Sequence, residues 1–344
     1  MSFQEAIARA VAGRDLTRNE AREAMAAIMD GLATPAQIGA FLVAMRLKGE
    51  TPQEIAGAAL AMRARASSVK SRRRPLLDTC GTGGDGHETV NISTAAALVA
   101  AGAGVAVAKH GNRSVSSRSG SADVLEALGV RLDLNPRRLG QCLDEVGLAF
   151  LFAPRLHPAM RHAIGPRREI GIRTLFNILG PLTNPAGADR QTLGVYSEDL
   201  VLPLARVLHD LGTERAIVYH GAGGLDELSL AGPNRVFEVR RAWTEPRERS
   251  LDGLQVGLPR APIEALRGGT PEQNAEWMLR LLSGKLQDAT RDTVVLNAAA
   301  SLVTADHAAS LREGVARAVE SLDGGSALGI LERLRDFTRD HVSA

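Results

Sequence analysis

A glycine-rich run at residues 81–86 constrains the fold of this chain more than any other feature of its sequence. The run reads Gly-Thr-Gly-Gly-Asp-Gly, follows a short apolar strand at 76–80, and precedes a helix of small apolar residues at 92–103. Backbone N–H groups of such a loop can surround phosphate oxygens, and the helix N-terminus favours the same negative charge. No Gly-Lys-Ser/Thr ends the run, so it is not the P-loop of an NTPase. Three interpretations stay open: a phosphate site, a dinucleotide site, and a tight turn without a ligand.

The residues after the next strand favour phosphate over a dinucleotide. A dinucleotide fold needs Asp or Glu at that strand end to bind ribose hydroxyls, whereas this chain has Lys109 and His110. Cations, hydroxyls and glycines continue through residues 109–123. Four more polar residues stand where the preceding helix begins: Thr89, Asn91, Ser93 and Thr94. Because ligands bind beyond the carboxyl ends of parallel strands, we expect both loops to face one crevice.

Strands alternate with helices from residue 76 onward. Further buried strands are predicted at 104–108, 149–152 and 216–219. This alternation implies parallel pairing through right-handed crossovers, while 236–239 is predicted to be a strand in an antiparallel excursion. The predicted fold class is α/β: a small N-terminal α-helical domain plus a large α/β domain with a central, mostly parallel sheet.

Residues 1–70 carry four helix-start signals. Each is a Ser or Thr followed three residues later by Glu or Gln: Ser2 and Glu5, Thr17 and Glu20, Thr34 and Gln37, Thr51 and Glu54. These pairs are typical of capping boxes, in which two side chains satisfy the free N–H groups of the first turn. The third helix has a broad apolar face around Phe41 and Leu42, which sister helices or another subunit must cover.

Composition excludes several classes of protein. Apolar residues form 44% of the 344, enough for a large core, yet no stretch approaches the length of a membrane helix. The N-terminus has no apolar signal core, so we expect a cytoplasmic protein. Cys80 and Cys142 lie far apart and form no metal-binding spacing. Aromatic residues make up only 3%, which disfavours stacking on nucleic-acid bases.

Seven motifs together resemble the anthranilate phosphoribosyltransferase family. They occur in the family's order and spacing and span nearly the whole chain: residues 81–85, 91–94, 109–113, 157–160, 171–177, 180–185 and 220–227. The resemblance implies transfer of the phosphoribosyl group of phosphoribosyl pyrophosphate (PRPP) to the amine of anthranilate, with Mg²⁺, in L-tryptophan biosynthesis. The products would be N-(5-phosphoribosyl)anthranilate and pyrophosphate. It also implies a helical domain at 1–70, joined by a returning segment around 167–185, an α/β domain at 75–344, and a homodimer through the helical part.

The resemblance also implies roles for individual residues. The PRPP-binding positions would be Gly81, Gly84, Asp85, Thr89, Asn91, Ile92, Ser93, Thr94, Lys109, His110, Gly111, Asn112, Arg113, Ser114, Val115, Ser116, Ser117 and Ser121. Anthranilate would contact Gly81, Asn112 and Arg167, and Mg²⁺ would be held by Ser93, Asp226 and Glu227. His110, His157 and Pro181 would line the entry tunnel. Glu88 departs from the small or amide residue common at its position. No acid–base residue is expected, because an aniline-type nitrogen is unprotonated at neutral pH.

Two other functions compete with this interpretation. Pyrimidine nucleoside phosphorylases share a near-identical segment at 109–117 and a related architecture, but not the motifs at 157–160 and 180–185. A non-catalytic relative that binds nucleic acid is favoured only by the basic stretch 70–74, which also suits a solvated linker, and by Arg137 and Arg138. We therefore expect small-molecule partners, with neither nucleic acid nor membrane.

Overall fold

The structure, a computed structural model, describes residues 1–114 and 118–340. The helices are α1 (Phe3–Val11), α2 (Arg18–Met29), α3 (Pro35–Lys48), α4 (Pro52–Arg63), α5 (Ile92–Gly102), α6 (Ser121–Ala127), α7 (Pro136–Glu145), α8 (Ala153–Leu156), α9 (Arg161–Ile170), α10 (Phe176–Leu179), α11 (Val201–Asp210), α12 (Pro271–Leu282), α13 (Ala289–Thr304), α14 (Leu311–Asp323) and α15 (Ser326–Arg339). The strands are β1 (Leu77–Gly81), β2 (Val107–Gly111), β3 (Leu148–Phe152), β4 (Arg190–Gly194), β5 (Arg215–His220), β6 (Asn234–Arg240) and β7 (Arg247–Leu251).

All seven strands form one sheet in the order β3-β2-β1-β4-β5-β6-β7. The pairs from β3 to β5 are parallel, and β6 and β7 add an antiparallel extension. The register of β1 and β4 sets Gly81 opposite Gly194, so both strands end at the same level. A small helical domain before a mostly parallel sheet is the predicted fold class, which the structure confirms.

The four predicted capping boxes all form. At Ser2, Thr17, Thr34 and Thr51 the hydroxyl accepts from the third helical residue, whose side chain accepts from the cap N–H in return. Each box satisfies two donors that the first turn leaves unpaired. Helix α2 packs along α4 and α1 packs on α3, which buries Phe41 and Leu42 at 1% and 0% exposure.

Two apolar cores hold the molecule together. One lies between the sheet and helices α5, α13, α14 and α15. The other joins α1–α4 to the face of the sheet covered by α11, and it includes Leu175, Phe176 and Leu179 from the segment after α9. Packing of that segment among the N-terminal helices is consistent with the proposed return to the helical domain. The domain limits themselves stay a prediction.

Strand boundaries differ from the sequence prediction at β2. The strand was expected at 104–108 but occupies Val107–Gly111. Residues 104 and 105 instead close the C-terminus of α5: Gly104 takes φ +100°, and the N–H of Val105 bonds the carbonyl of Ala100. Pairing therefore starts later and extends through Lys109 and His110, both buried. The prediction missed β4 and β7, because neither has an apolar pattern: β4 is largely buried but reads Arg-Gln-Thr-Leu-Gly, and β7 is almost wholly exposed.

Within the described ranges, every helix is too short or too polar to cross a membrane.

Candidate active site

The candidate site lies along one edge of the sheet, where β1, β2, β4 and β5 end. These strands are parallel, so the loops that follow them emerge at the same edge. From β1 the chain continues to β2 and β3 on one side of that strand, and β4 and β5 are then added on its other side. Such a reversal of strand order opens a crevice between neighbouring loops, and ligands of α/β sheets bind there. The two polar loops singled out in the sequence therefore share one crevice.

An acidic turn at residues 225–227 crosses directly over the ends of β1 and β4. A Cβ atom on Gly81 would lie 2.5 Å from Asp226 Oδ2, and one on Gly194 would lie 1.7 Å from the Asp226 carbonyl oxygen. Side chains at these strand ends would push the turn away. Glycine is therefore required here by close approach of another part of the chain.

The glycine-rich loop at residues 81–88, which we call the phosphate loop after its predicted ligand, is held in shape by the same turn. Gly83 and Gly84 adopt φ of +67° and +81°, which favours glycine. The N–H of Gly83 donates to Asp226 Oδ2 at 2.7 Å, and the N–H of Asp226 donates to Asp85 Oδ2 at 3.2 Å. The loop is thus tied to a segment distant in sequence.

Asp226 and Glu227 form a crowded acidic pair. Glu227 Oε1 accepts from the N–H of Ser93 at 3.0 Å, in the first turn of α5. Burial raises the pKa of Asp226, and repulsion from Glu227 and Asp85 raises it further. Burial also raises the pKa of Glu227, although Lys109 and the contacts with Ser93 oppose the shift. A nearby cation would therefore stabilise the charged forms of both carboxyls.

The residues present fit a divalent cation. Glu227 Oε2 is buried and has no hydrogen-bond partner in the described chain, which leaves an oxygen ready for a ligand. Two carboxylates and the Ser93 hydroxyl are hard oxygen donors of the kind Mg²⁺ prefers. Among residues 1–114 and 118–340 no group of three or more His, Cys, Asp or Glu side chains is arranged to hold a metal ion. An ion at this place would therefore need oxygens from a bound substrate as well.

Lys109 is a buried ammonium beneath the start of α5. It is 3% exposed; its Nζ donates to the carbonyl of Thr79 and lies 3.3 Å from Ser93 Oγ. Burial lowers the pKa of Lys109, while Asp78 and the acidic pair act in the opposite direction. The positive charge of Lys109 therefore lies next to the Ser93 hydroxyl, which the resemblance assigns to the binding of both PRPP and Mg²⁺.

Asp78 is a fully buried carboxylate that the sequence analysis did not select. Its oxygens accept from the N–H of His110 at 3.0 Å and from Asn184 Nδ2 at 2.8 Å. Burial raises its pKa to about 6, despite these contacts and the charge of Lys109. Asn184 belongs to the motif at 180–185, so this bond ties the returning segment to β1 and β2.

Two buried histidines stand beside that segment. His110 Nδ1 lies 3.1 Å from the carbonyl of Gly180, and the Nε2 atoms of His110 and His157 are 3.2 Å apart. Since the carbonyl can only accept, His110 carries its proton on Nδ1 and accepts from His157 on Nε2. Burial lowers the pKa of His110 to about 3, with help from His157, and that of His157 to about 4. Both rings are neutral near pH 7.

Arg167 is a half-buried cation on α9. Its guanidinium carbon lies 5.0 Å from the centre of the Phe176 ring, and burial lowers its pKa. No carboxylate in the described part of the chain pairs with it. A partly desolvated guanidinium stacked on an aromatic ring, without a counter-ion, suits a planar carboxylate ligand.

The other predicted PRPP-binding residues take different places. Asn91 is the N-cap of α5, and Ile92 is fully buried in the core beneath it. Thr94 Oγ1 is buried without a partner in the described chain. Thr89 pairs with Arg267, and the carbonyl of Glu88, at φ +49°, accepts from Gly268. The phosphate loop is therefore lined on its far side by residues 266–268.

The loop after β2 is less uniform. Ser121 Oγ donates to the carbonyl of Asn112 at 3.2 Å, and a Cβ on Gly111 would lie 2.5 Å from that hydroxyl. The guanidinium of Arg113 instead pairs with Asp123 and Glu126 and stacks on Phe152 at 5.6 Å. The N–H of Ser114 bonds Asp123. Val115, Ser116 and Ser117 lie outside the described residues.

Three buried asparagines support the loops, and the sequence analysis missed all of them. Asn274 Nδ2 donates to Asn91 Oδ1 at 2.9 Å, and Asn91 Nδ2 donates to the carbonyl of Ser119 at 3.2 Å. Asn297 bonds both the N–H and the carbonyl of Leu228, next to Glu227. Asn234 Oδ1 accepts from Ala222 and Ser229, on either side of the acidic pair. No local pattern distinguishes these amides in the sequence.

Comparison with known proteins identifies the class of protein to which this fold belongs. Residues 4–66 match the model of the helical bundle domain of the glycosyl transferase family, and residues 73–328 match that of its a/b domain. The chain thus contains both domains of the glycosyl transferase family.

More specific similarity extends over the whole chain. An anthranilate phosphoribosyltransferase from Pelotomaculum thermopropionicum is 57% identical over 98% of this chain and 96% of its own. The crystal structure of the Thermus thermophilus anthranilate phosphoribosyltransferase matches with a TM-score of 0.92 and 51% identity, over 97% of this chain and 99% of that one. The Saccharomyces cerevisiae enzyme in complex with PRPP and Mg matches with a TM-score of 0.90 and 28% identity, over 98% of both chains. The chain belongs to the anthranilate phosphoribosyltransferase family.

Proposed function

We propose that this protein transfers the phosphoribosyl group of PRPP to the amine of anthranilate in L-tryptophan biosynthesis, with Mg²⁺. The observation that carries the proposal is the acidic turn over the sheet edge. Asp226 holds the phosphate loop through Gly83, while Glu227 holds the first turn of α5 through Ser93 and keeps one carboxylate oxygen unpaired. A phosphate-binding backbone and a candidate cation site are thereby built from the same few contacts.

PRPP would lie across the strand ends. We assign its phosphates to the loop N–H groups at Gly84 and Asp85, to the hydroxyls and N–H groups of residues 91–94, and to the loop after β2 up to Ser121. Lys109 would neutralise phosphate charge from below through its position beside Ser93. Removing charge from the departing pyrophosphate is the main requirement of this reaction, and fixed donors supply it without reorganisation.

Mg²⁺ would be held by Asp226, Glu227 and Ser93 together with substrate oxygens. When bound, it would neutralise charge on the pyrophosphate as that group leaves. The burial of the acidic pair favours this arrangement, because burial and mutual repulsion raise the pKa values of two adjacent carboxylates that lack a cation.

Anthranilate would present its carboxylate to Arg167, with Asn112 and the Gly81 backbone as further contacts. The unprotonated amine attacks C1 of the ribose; the N–C1 bond forms, the C1–O bond to pyrophosphate breaks, and the amine releases one proton. No side chain has to activate this nucleophile, so rate acceleration comes from holding amine and C1 close and from stabilising the leaving group. The neutral histidine pair beside Gly180 would shape the approach without adding charge.

The decisive assay follows loss of anthranilate fluorescence in the presence of PRPP and Mg²⁺. Activity that EDTA abolishes and excess Mg²⁺ restores is the expected result. No loss of fluorescence with folded protein and both substrates would refute the proposal.

Two parallel measurements separate the competing functions. Phosphorolysis of thymidine or uridine would identify a nucleoside phosphorylase. A salt-dependent DNA mobility shift without anthranilate turnover would identify a nucleic-acid-binding relative. We expect both to be negative.

We also propose that the helical domain forms a homodimer. Three large apolar side chains are exposed on or beside its helices, at 71% for Val11, 76% for Leu32 and 82% for Leu47. Light scattering should give twice the monomer mass, and Leu47→Glu should lower the mass towards that of the monomer. A monomeric parent protein would exclude the dimer.

A further inference from the structure

Arg173 lies between α9 and α10, and its guanidinium reaches the phosphate loop. Its Nη2 donates to the carbonyl of Gly84, and its Cζ lies 4.2 Å from the centre of the Tyr196 ring. Tyr196 in turn donates its backbone N–H to Thr82 Oγ1 at 3.0 Å. One side chain therefore joins the segment that carries Arg167, the phosphate loop, and the end of β4.

The contact fixes a peptide whose other end is assigned to the substrate by the proposed function. Gly84 adopts φ +81°, and a Cβ there would lie 3.3 Å from Arg173 Nη2. Because a trans peptide is planar, its carbonyl and the following N–H point in opposite directions. By holding the Gly84 carbonyl, Arg173 sets the direction of the Asp85 N–H, a donor that the proposed function assigns to PRPP.

Charge adds a second reason to place Arg173 in the binding machinery. Neither Arg167 nor Arg173 has a carboxylate partner in residues 1–114 and 118–340. Many other arginines of this chain are paired, among them Arg215 with Asp306 and Arg291 with Asp323. Arg168, on the same segment, also lacks a carboxylate partner among the described residues, but it is exposed and makes no contact with the loop. Arg167 is half-buried and Arg173 is bonded to Gly84, so these two cations on one segment favour two anionic ligands bound together.

We propose that Arg173 is a positioning residue that couples the aromatic-acid site to the PRPP site. Resting on the proposed function, the inference is that a benzoate on Arg167 steadies the segment 167–176. The segment then holds Arg173 on Gly84 and aligns the loop for pyrophosphate. Coupling is reciprocal by thermodynamic linkage, so PRPP must tighten benzoate binding by the same factor.

The test measures that factor at equilibrium. Salicylate keeps the benzoate group and lacks the amine, so its ternary complex with PRPP and Mg²⁺ does not form the natural product. Protein is titrated into salicylate with and without saturating PRPP and Mg²⁺, and binding is followed by salicylate fluorescence. The ratio of the two dissociation constants for salicylate is the coupling factor. We expect roughly 5-fold or more for the parent protein, the lower range of measured couplings.

Three variants separate coupling from general damage. Arg173→Gln should bring the factor close to 1 and raise both KM values, with a smaller change in kcat. Arg173→Lys keeps the charge but not the planar fork, and should restore part of the factor. Arg168→Gln changes an exposed arginine on the same segment and should leave the factor intact. Thermal unfolding checks that all variants are folded.

The failures are distinguishable. A parent protein that binds neither salicylate nor PRPP would sink the proposed function, and the inference with it. Binding of both ligands with no coupling in the parent, or with equal coupling in Arg173→Gln, would overturn the role of Arg173 alone.

Discussion

His110 and His157 share a hydrogen bond between their Nε2 atoms, which are 3.2 Å apart, where the segment around 167–185 packs against the sheet. Both side chains are nearly inaccessible, at 5% and 6% exposure. The pair can hold only one proton between the two nitrogens, and Gly180 determines which ring supplies the acceptor. A second proton would place a charge in a buried site without a counter-ion, which explains why both pKa values fall far below the usual value.

This pair should make folding stability depend on pH. The folded pKa values, about 3 and about 4, lie below the ordinary 6.5, so the unfolded chain binds more protons in between. The pair's contribution to stability is therefore complete above about pH 6.5 and falls as the pH drops towards 4, at up to about 1.4 kcal/mol per pH unit for each histidine. The raised pKa values of Asp78, Asp226 and Glu227 act in the opposite direction over this range, so the contribution of the pair has to be taken as a difference between the parent protein and a variant. Urea unfolding at pH 5 and pH 7, in the parent protein and in a variant that lacks one of the two histidines, measures that contribution.

His157→Gln keeps a donor for His110 but removes one titrating group, so it should reduce the pair's contribution to the pH dependence by about half. His307→Gln, on the loop after α13, is the control and should leave the slope unchanged. An identical pH dependence in the parent and His157→Gln would contradict the assignment.

Arg167→Ala should raise KM for anthranilate with a lesser effect on KM for PRPP. Loss of a charge-assisted hydrogen bond amounts to about 1.5–3 kcal/mol, or roughly 10- to 100-fold. Steady-state kinetics with each substrate varied provides the measurement, and Arg168→Ala serves as the matched control. An unchanged anthranilate KM in Arg167→Ala would remove Arg167 from the site.

Glu227→Gln should separate stability from activity. Removal of one charge from a buried acidic pair relieves repulsion with Asp226, so the metal-free variant should be at least as stable as the parent. Its Mg²⁺-dependent use of PRPP should nevertheless fall by at least about 10-fold, the effect of one lost charge-assisted contact. Thermal unfolding with and without Mg²⁺ and PRPP, beside kinetics, tests both parts.

Glu276→Gln, an exposed carboxylate on α12, is the control for that experiment. A variant at Glu227 that kept full activity at limiting Mg²⁺ would exclude this carboxylate as a ligand.

Asn274→Asp should weaken PRPP binding, although Asn274 is not assigned a contact with the substrate. The change replaces the Nδ2 donor by an oxygen facing Asn91 Oδ1, at a separation of 2.9 Å in the parent, while the acceptor for Gly269 is kept. We expect KM for PRPP to rise about 10-fold, in line with one lost buried hydrogen bond. Trp277→Phe removes a different hydrogen bond of the same helix, to Thr290, and should spare PRPP. Equal effects of the two changes would indicate only a loosened α12.

Gly194→Ala should abolish activity while leaving most of the fold intact. Its Cβ would meet the Asp226 carbonyl at 1.7 Å, so the acidic turn must move from the strand ends. Gly329→Ala on α15 is the control, because its Cβ meets only Arg333 Nη1 at 3.4 Å. Wild-type turnover in Gly194→Ala would show that the acidic turn need not lie where the structure has it.

Local features of this protein are determined by the sequence alone. Each capping box joins residues three apart, and the phosphate loop is a continuous run of glycines after a strand, so short-range patterns are sufficient. Strand and helix alternation likewise predicted the mostly parallel sheet and its antiparallel extension. The family resemblance predicts functional roles for Asp226, Glu227 and Arg167, but it does not predict their surroundings.

Only the tertiary structure decided which groups meet at the site. Asn274 and Asn91 are separated by 183 positions, and Gly83 and Asp226 by 143, so no periodicity links them. Nor does the sequence reveal that Arg113 turns to Asp123, or that Arg173 holds Gly84. A hydrogen bond between distant residues depends on where whole helices and strands pack, and that is a property of the assembled cores rather than of any segment.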